Sequence, residues 1–365
     1  MAAWVNGHEA GLDGAVETSA NILAQARAPL IGGLAADVAA IRAAYRLAFA
    51  TGASLDPAGS AGLYTDLAVL SSSGQMFTTP AEALARADLA VLIGTRAATS
   101  PLAAEFAARP VTRGSAGTNR RRLIALAETA PASVDSLTQI ALPGAQLAPA
   151  IGLLRGLAAN RIHAPAGDMG ALTEVLPALT EASFGVVLYD AEELGELAVE
   201  MLHGLVKDLN ATRRFTTLPI VRETAARGAL QVGAWTTGDA PRVGLGRGFP
   251  EHDPWRFDAA RLLATGEADT LLWLAALPAP PPPGGAISTI ALVGRAEKPV
   301  DPASADVVIE VAVPGETGSG AVWDQRRATF VFSSAQAGPP ASRLPPASHV
   351  LSAIEAAVAA TRRAA

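Results

Sequence analysis

The sequence contains no cysteine. Within this chain, that absence excludes disulfides, cysteine-held iron–sulfur clusters and thiolate–zinc sites. Charge is sparse as well: charged residues make up 17% and the net charge is −6. No broad basic field is therefore offered to nucleic acid or to an anionic membrane surface. Lysine is confined to Lys207 and Lys298, so arginine supplies the cations. No apolar run of about 18 or more residues escapes a charge or a helix breaker, and no membrane span is expected. The opening "MAAWVNGHEAGLDG" lacks the charged region and apolar core of a signal peptide, which points to a cytoplasmic protein.

Catalytic signatures are also missing. There is no G-x-S-x-G elbow, and no two of His8, His163, His203, His252 and His349 stand four apart as in a zinc helix. "RVGLGRGFP" (residues 242–250) does not match the dinucleotide fingerprint, and a proline and an acid follow it instead of a helix.

Half of the 365 residues are hydrophobic, enough for two or three domains with real cores. "AWVNGHEA" reads as a hairpin with Asn6-Gly7 in a type I′ turn. Asp13 stands where an N-cap would precede the first helix. "PLIGGL" and "ASLD" read as strands around a helix closed by Gly52. Thr79 and Pro80 open another helix ahead of the strands "DLAVLIGT" and "RRLIALAE". Strand–helix alternation of this kind indicates a doubly wound parallel sheet. The same pattern returns later, with strands "FGVVLYD", "FTTLPIV", "ADTLLWLAAL", "ISTIALVG" and "DVVIEVAVP" and one long helix across residues 191–212. The expected organisation is a first α/β domain at 1–150, a second at 151–334, and a proline-rich linker with a terminal helix at 335–365. "PAPPPPGG" (278–285) reads as a rigid, exposed polyproline connection.

Candidate chemistry is thin. His252, between Glu251 and Asp253, is the best catalytic candidate, although adjacent residues do not face each other. His203 reads as a partly exposed helix residue, and Glu192, Glu193 and Glu196 as a solvated helix face. "NRRRL" (119–123) reads as a solvated strand entry. Arg96, at the end of a strand in "LIGTRAATSP", is a possible anion ligand. The loop "DPAGSAGLYTD" (56–66) follows a strand, where α/β folds place their chemistry.

Several stretches together resemble the B-type large subunits of formylmethanofuran dehydrogenase, within the molybdopterin oxidoreductase superfamily. "ARADLAVLIGT" (85–95) is similar to its "nRADvvifwG" strand. "GALQVGAWTTGDAPRVGLGRGFPEHDPW" and its continuation to residue 278 look like the family's W-x-T-G-x-P region. "ADVVIEVAVPGETGSGAVWDQ" (305–325) resembles its "ADVVIP…G-x-E…G" stretch. The resemblance spans most of residues 4–330. It implies two doubly wound, Rossmann-like parallel-sheet units of the molybdopterin oxidoreductase core, without the iron–sulfur domain. It also implies losses. Gly62 falls at the family's metal-ligand position, and "GTRAATSPL" lacks the asparagine, proline and arginine that help to hold the pterin. No cofactor and no metal are therefore expected.

That combination is similar to the redox-inactive B-type subunits of bacterial formyltransferase/hydrolase complexes. Implied partners are an amidohydrolase A subunit, a C subunit and a formyltransferase D subunit, with neither nucleic acid nor membrane. The implied pathway carries formyl from tetrahydromethanopterin to a methanofuran-type carrier and on to formate. A non-catalytic structural role is favoured, with the loop at Gly62 collapsed and packed by Leu63 and Tyr64. Two alternatives stay open: a carrier-binding or regulatory module, or an enzyme with a residual pocket around Arg96, Trp235, Arg247 and His252.

Overall fold

The computed structural model describes residues 3–113, 120–129, 137–163, 167–221, 225–284, 287–294, 301–336 and 344–364. Asn119, Gly285 and the middle of the proline-rich stretch 335–348 lie outside them. The chain forms two compact units. The first joins Met1–Ser60 to Glu223–Asp324 and Thr329–Ala365; the second is Ala61–Arg222 with Gln325–Ala328.

The first unit opens on the expected hairpin, β1 (Ala3–Val5) and β2 (His8–Ala10). Asn6 and Gly7 both have positive φ, 52° and 77°, as a type I′ turn requires. Helix α1 (Leu12–Gln25) is entered through Gly11 without a side-chain cap. Asp13 is thus not the expected N-cap; it sits inside the first turn, where its charge suits the macrodipole. β3 (Pro29–Ala35), α2 (Val38–Thr51) and β4 (Ser54–Pro57) follow. Asp37 caps α2 by accepting from the Ala40 amide at 3.2 Å, and Gly52 ends it in the left-handed region.

The second unit runs through α3 (Ala61–Ser73), α4 (Pro80–Arg86), β5 (Leu89–Ile93), α5 (Thr95–Ala98), α6 (Pro101–Ala108), β6 (Arg122–Leu126) and β7 (Leu137–Ile140). It continues through α7 (Gly144–Ala158), a 3₁₀ stretch (Gly167–Val175), α8 (Leu176–Glu181), β8 (Phe184–Tyr189), α9 (Ala191–Leu194), α10 (Glu196–Leu209) and β9 (Arg214–Pro219). The single long helix expected over 191–212 is two helices, because Gly195 turns the backbone to φ 75° between them.

The chain then returns to the first unit with α11 (Ala225–Thr237), β10 (Val243–Gly244), β11 (Glu251–His252) and α12 (Ala259–Ala264). β12 (Thr270–Ala275), β13 (Ser288–Gly294), β14 (Val307–Val311), the hairpin β15 (Gly320–Asp324) and β16 (Thr329–Ser333), and α13 (Ala347–Ala364) complete it.

The sheets correct the expected domain boundaries. Among the described residues, the first unit holds a sheet of order β11-β10-β4-β3-β12-β13-β14-β1-β2, parallel from β4 to β14 and antiparallel at both edges. The second holds a wholly parallel sheet, β7-β6-β5-β8-β9. Contiguous domains at 1–150 and 151–334 do not describe this arrangement. β3 and β4 pair with strands far later in the chain, β12 and β10, and residue 150 falls inside α7. An apolar strand run records that it is buried but not which strand it joins, and both sheets are apolar on two faces as parallel sheets are. The glycines of "PLIGGL" lie within β3, where a Cβ on Gly33 would stand 2.6 Å from the Leu274 carbonyl oxygen. The terminal helix is part of the first unit: Val350, Leu351, Ile354 and Val358 are buried in its core, and Arg362 donates to the Ala50 carbonyl at 2.6 Å.

"NRRRL" holds a second correction. Arg121 is buried, and its guanidinium donates to the carbonyls of Leu84, Ala87, Phe106 and Arg109 at 2.6–2.9 Å. Those carbonyls end α4 and α6, so one side chain caps two helix C-termini while stacking over the Phe106 ring at 4.7 Å. Burial pulls its pKa down to about 10, with Asp88 pulling the other way. Arg121→Ala leaves those carbonyls without their donor, and a loss of about 3–5 kcal/mol is expected in the urea unfolding of the full chain. Arg122→Ala, on the exposed side of β6, is expected to cost less than about 1 kcal/mol.

Candidate functional site

In the second unit the chain moves from β5 outward to β6 and β7, then starts again at β8 on the other side of β5. The carboxyl ends of β5 and β8 are therefore the switch point, where open α/β sheets bind ligands. β5 leads into Gly94, Thr95 and Arg96; β8 leads into Asp190, Glu192 and Glu193. Glu193 accepts from the Thr95 amide at 2.8 Å and from the Arg96 amide at 2.9 Å. Gly94, at φ 88°, makes room for it: a Cβ there would lie 2.5 Å from a Glu193 oxygen. The Arg96 guanidinium reaches Asp190 at 3.3 Å and Glu192 at 3.0 Å. Asp190 in turn caps α9, accepting from the Glu192 and Glu193 amides at 3.0 Å.

These contacts revise two expectations. Arg96 is not poised for an external anion, because it stands among three carboxylates of its own chain. Glu196 is on a solvated face as expected, but Glu193 is half-buried and holds the turn after β5. Sequence reading missed Asp190 and Glu193 as partners of this turn. The available signal was "YDAEEL", an aspartate closing a strand with two acids in the helix behind it; the adjacency of β5 and β8 was not legible.

Gly62 belongs to the same place. It lies in the first turn of α3, and a Cβ on it would meet the Glu192 amide nitrogen at 3.4 Å and the Ala191 Cβ at 3.9 Å. Leu63 and Tyr64 are buried, in line with a packed loop, and the packing takes the form of a helix. Asp66, the last residue of "DPAGSAGLYTD", accepts from the Tyr189 hydroxyl at 2.7 Å, and that hydroxyl lies 3.2 Å from His203 Nε2. With the Tyr189 proton given to Asp66, His203 Nε2–H donates to the Tyr189 oxygen. His203 is thus a buried member of a network, not a partly exposed helix residue. Burial pushes its pKa down to about 4.

The remaining candidates lie in the first unit. Asp56, next to last in β4, is buried against Arg242, whose Nε lies 3.3 Å away without hydrogen-bond alignment. Arg242 also donates to Ser60 at 3.1 Å and to the Pro254 carbonyl at 2.6 Å, and pairs with Asp258. Asp56 accepts from the Ala259 amide at 2.9 Å. Burial raises the Asp56 carboxyl to about 6, against the pull of Arg242. His252 sits exposed on β11 opposite Val243, and Arg247, in the turn of that hairpin, pairs with Glu251 at 3.2 Å. Trp235, near the end of α11, tilts against Phe330 with 5.3 Å between ring centroids. The structure thus gathers Gly62 and Arg96 around Glu192 in one unit, and Arg247 and His252 on one hairpin in the other. At the carboxyl ends of β12 and β13 it also forms a cleft of about 640 Å³, walled by Trp273, Val293, Val313 and residues 278–282. The polyproline connection is the wall of this cleft, tied by Trp273 Nε1 to the Pro280 carbonyl at 3.1 Å.

A metal–pterin group does not fit the residues around Gly62. Position 62 offers no donor atom, Glu193 occupies the two amides of the turn, and three carboxylates surround the one arginine. Such a field repels an anionic group.

No protein-family model matches the chain. The chain is 45% identical over 336 residues, 92% of its length, to the B component of the formyltransferase/hydrolase complex Fhc of Methylorubrum extorquens, of which it covers 91%. It is also similar to a chain of the crystal structure of the formyltransferase/hydrolase complex (FhcABCD) from Methylorubrum extorquens in complex with methylofuran. There the TM-score is 0.90 and the identity 42%, over 99% of this chain and 100% of that one.

The His203 network makes a pH prediction. The folded pKa, about 4, lies below the usual value of 6.5. Between those values the unfolded chain binds the extra proton, so this residue's contribution to stability falls as pH drops through that window, by up to about 3 kcal/mol. Chemical unfolding of the wild type and His203→Gln at pH 7 and pH 4.5 checks this: the gap between the two is expected to shift in favour of the variant at the lower pH.

Proposed function

The chain belongs to the family of B components of formyltransferase/hydrolase complexes, and from that premise we propose that it is a non-catalytic structural member of such a complex. The chemistry then belongs to the assembly. A formyltransferase D subunit moves formyl from tetrahydromethanopterin to a methanofuran-type carrier, an amidohydrolase A subunit hydrolyses the formyl-carrier to formate, and a C subunit completes the set. Neither step transfers electrons, so the assembly needs no redox centre in this chain. A sheet with a parallel centre, a second wholly parallel sheet and the switch point of that second sheet support the finer reading of a molybdopterin oxidoreductase-type core that has kept its layers and lost its site, since function resides in sites grafted on folds.

The observation that carries the proposal is the self-occupied switch point. Arg96 and the amides of its turn are engaged by Asp190, Glu192 and Glu193, and Gly62 has no side chain to offer. Co-expression with the three partner subunits, followed by identification of what co-purifies, is expected to yield a four-chain assembly that releases formate. Arg96→Ala and His252→Ala are expected to change its turnover by less than about twofold. Abolished turnover in His252→Ala with assembly intact, or stoichiometric molybdenum or tungsten in the purified assembly, contradicts the proposal.

A further inference from the structure

In the first unit the chain moves from β3 out to β4 on one side of the sheet, and from β12 out to β13 and β14 on the other. Its switch point therefore lies between the carboxyl ends of β3 and β12. That point is closed. The Leu277 amide donates to the Ala35 carbonyl at 2.8 Å, and Gly320 of β15 sits so close to Asp37 that a Cβ there would stand 2.7 Å from a carboxylate oxygen. The open space is one strand further on, in the cleft of about 640 Å³ at the ends of β12 and β13. Ala275 and Val293 line it side by side in register, on the same face of the sheet as Trp273. The Trp273 ring is pinned. A Cβ on Gly32 would stand 2.9 Å from its ring carbons, and its Nε1 donates to the Pro280 carbonyl. Gly294 closes the end of β13 onto the Ala276 carbonyl oxygen, which a Cβ would approach to 2.4 Å. The remaining wall, residues 278–282, has proline at every position except Ala279.

We propose that this cleft binds a neutral, flat, largely apolar small molecule of about two or three rings. Its volume falls within the range of about 300–1,000 Å³ that small-molecule sites occupy. Aliphatic side chains, proline rings and an indole make up its walls. Among the described residues that line it none is cationic, and the one acid, Glu316, is exposed to solvent. An anionic ligand thus finds no counter-charge in this lining, and a cationic one finds only a solvated carboxylate, which contributes little. A polypeptide fits less well. β12 and β13 are interior strands, so neither offers an edge to an added strand. The prolines of the wall supply no amide donors, so the carbonyls of a peptide laid against it go unmatched. A ligand with few polar atoms avoids that cost. The proline wall and the pinned indole hold the cleft in shape before a ligand arrives, which spares the ordering cost of binding. Such binding involves no chemistry and is compatible with a structural role.

The test uses the full chain and the neutral dye N-phenyl-1-naphthylamine, read by the rise in its fluorescence. Saturable binding at a single site is expected. 2-Naphthalenemethanol is expected to displace the dye about tenfold better than 2-naphthoate or 2-naphthylmethylamine, its charged counterparts. Val293→Trp puts an indole into the cleft and is expected to weaken dye binding about tenfold. Ala279→Asp puts a carboxylate into the proline wall, on the connection after β12, and is expected to weaken it about fivefold at unchanged melting temperature. That second variant decides the matter if Val293→Trp fails to fold. Absence of saturable binding by the wild type, equal binding by Ala279→Asp, or stronger displacement by either charged naphthalene overturns the proposal. Displacement by a blocked alanine–leucine tetrapeptide as effective as by the alcohol also overturns it, and assigns the cleft to a segment of another polypeptide.

Discussion

The guanidinium of Arg242 joins four segments of the first unit. It meets Asp56 near the end of β4, Ser60 where the chain leaves that unit, the Pro254 carbonyl after the β10–β11 hairpin, and Asp258 at the start of α12. Its φ of 61° is uncommon for a residue with a side chain, a strain of about 1–3 kcal/mol that only a strongly determined position sustains. A cation this deeply buried is tolerable because two carboxylates face it, and they are tolerable because it faces them. The consequence is geometric. The end of β4 has no freedom to reshape around a ligand, since the Asp56 carboxylate is already committed to holding the loop.

The same logic, with the signs exchanged, governs the second unit. A turn with two outward amides and an arginine beside it has the chemistry of an anion site. Glu193 converts it into an internal joint, and Asp190 and Glu192 complete the neutralisation of Arg96. Arg96 is about two-fifths exposed, so these ion pairs add little stability. Their effect is to exclude: a bound anion has to displace three tethered carboxylates, each at high local concentration. Elsewhere in the unit, Arg86 and Arg214 share Glu82, and Arg109 and Arg326 share Glu105. Charge is thus consumed within the chain at the place where the fold would bind a small ligand.

Much of this was legible in the sequence, at the level of single elements. The Asn6-Gly7 turn, the Gly52 helix end, the Thr79-Pro80 helix start and the apolar strands all carry local signals strong enough to survive into the fold. What was not legible was pairing. Nothing in "PLIGGL" says that it lies beside "ADTLLWLAAL" across an inserted unit, so boundaries drawn by order along the chain were displaced. Misread side chains share one cause. Arg121, His203 and Glu193 are polar residues whose neighbours in sequence suggest solvent, and whose neighbours in space are helix ends, a tyrosine and a pair of amides. Burial of a polar group is set by tertiary partners, which periodicity does not encode.

That distinction also separates what holds the second sheet from what fills its switch point. The sheet is covered on both faces by apolar side chains such as Leu89, Val91, Ile124, Val187 and Leu202 on one side and Ala90, Leu92, Phe106 and Val186 on the other. The polar side chains of the switch-point turns, Arg96, Asp190, Glu192 and Glu193, are not among them. Exchanging those polar groups therefore leaves both faces of the sheet covered. What it disturbs is local: a turn with free amides and a half-buried arginine costs stability, and the carboxylates of the neighbouring turn satisfy both. Layers and switch point thus answer to separate sets of residues, and either set can change without undoing the other.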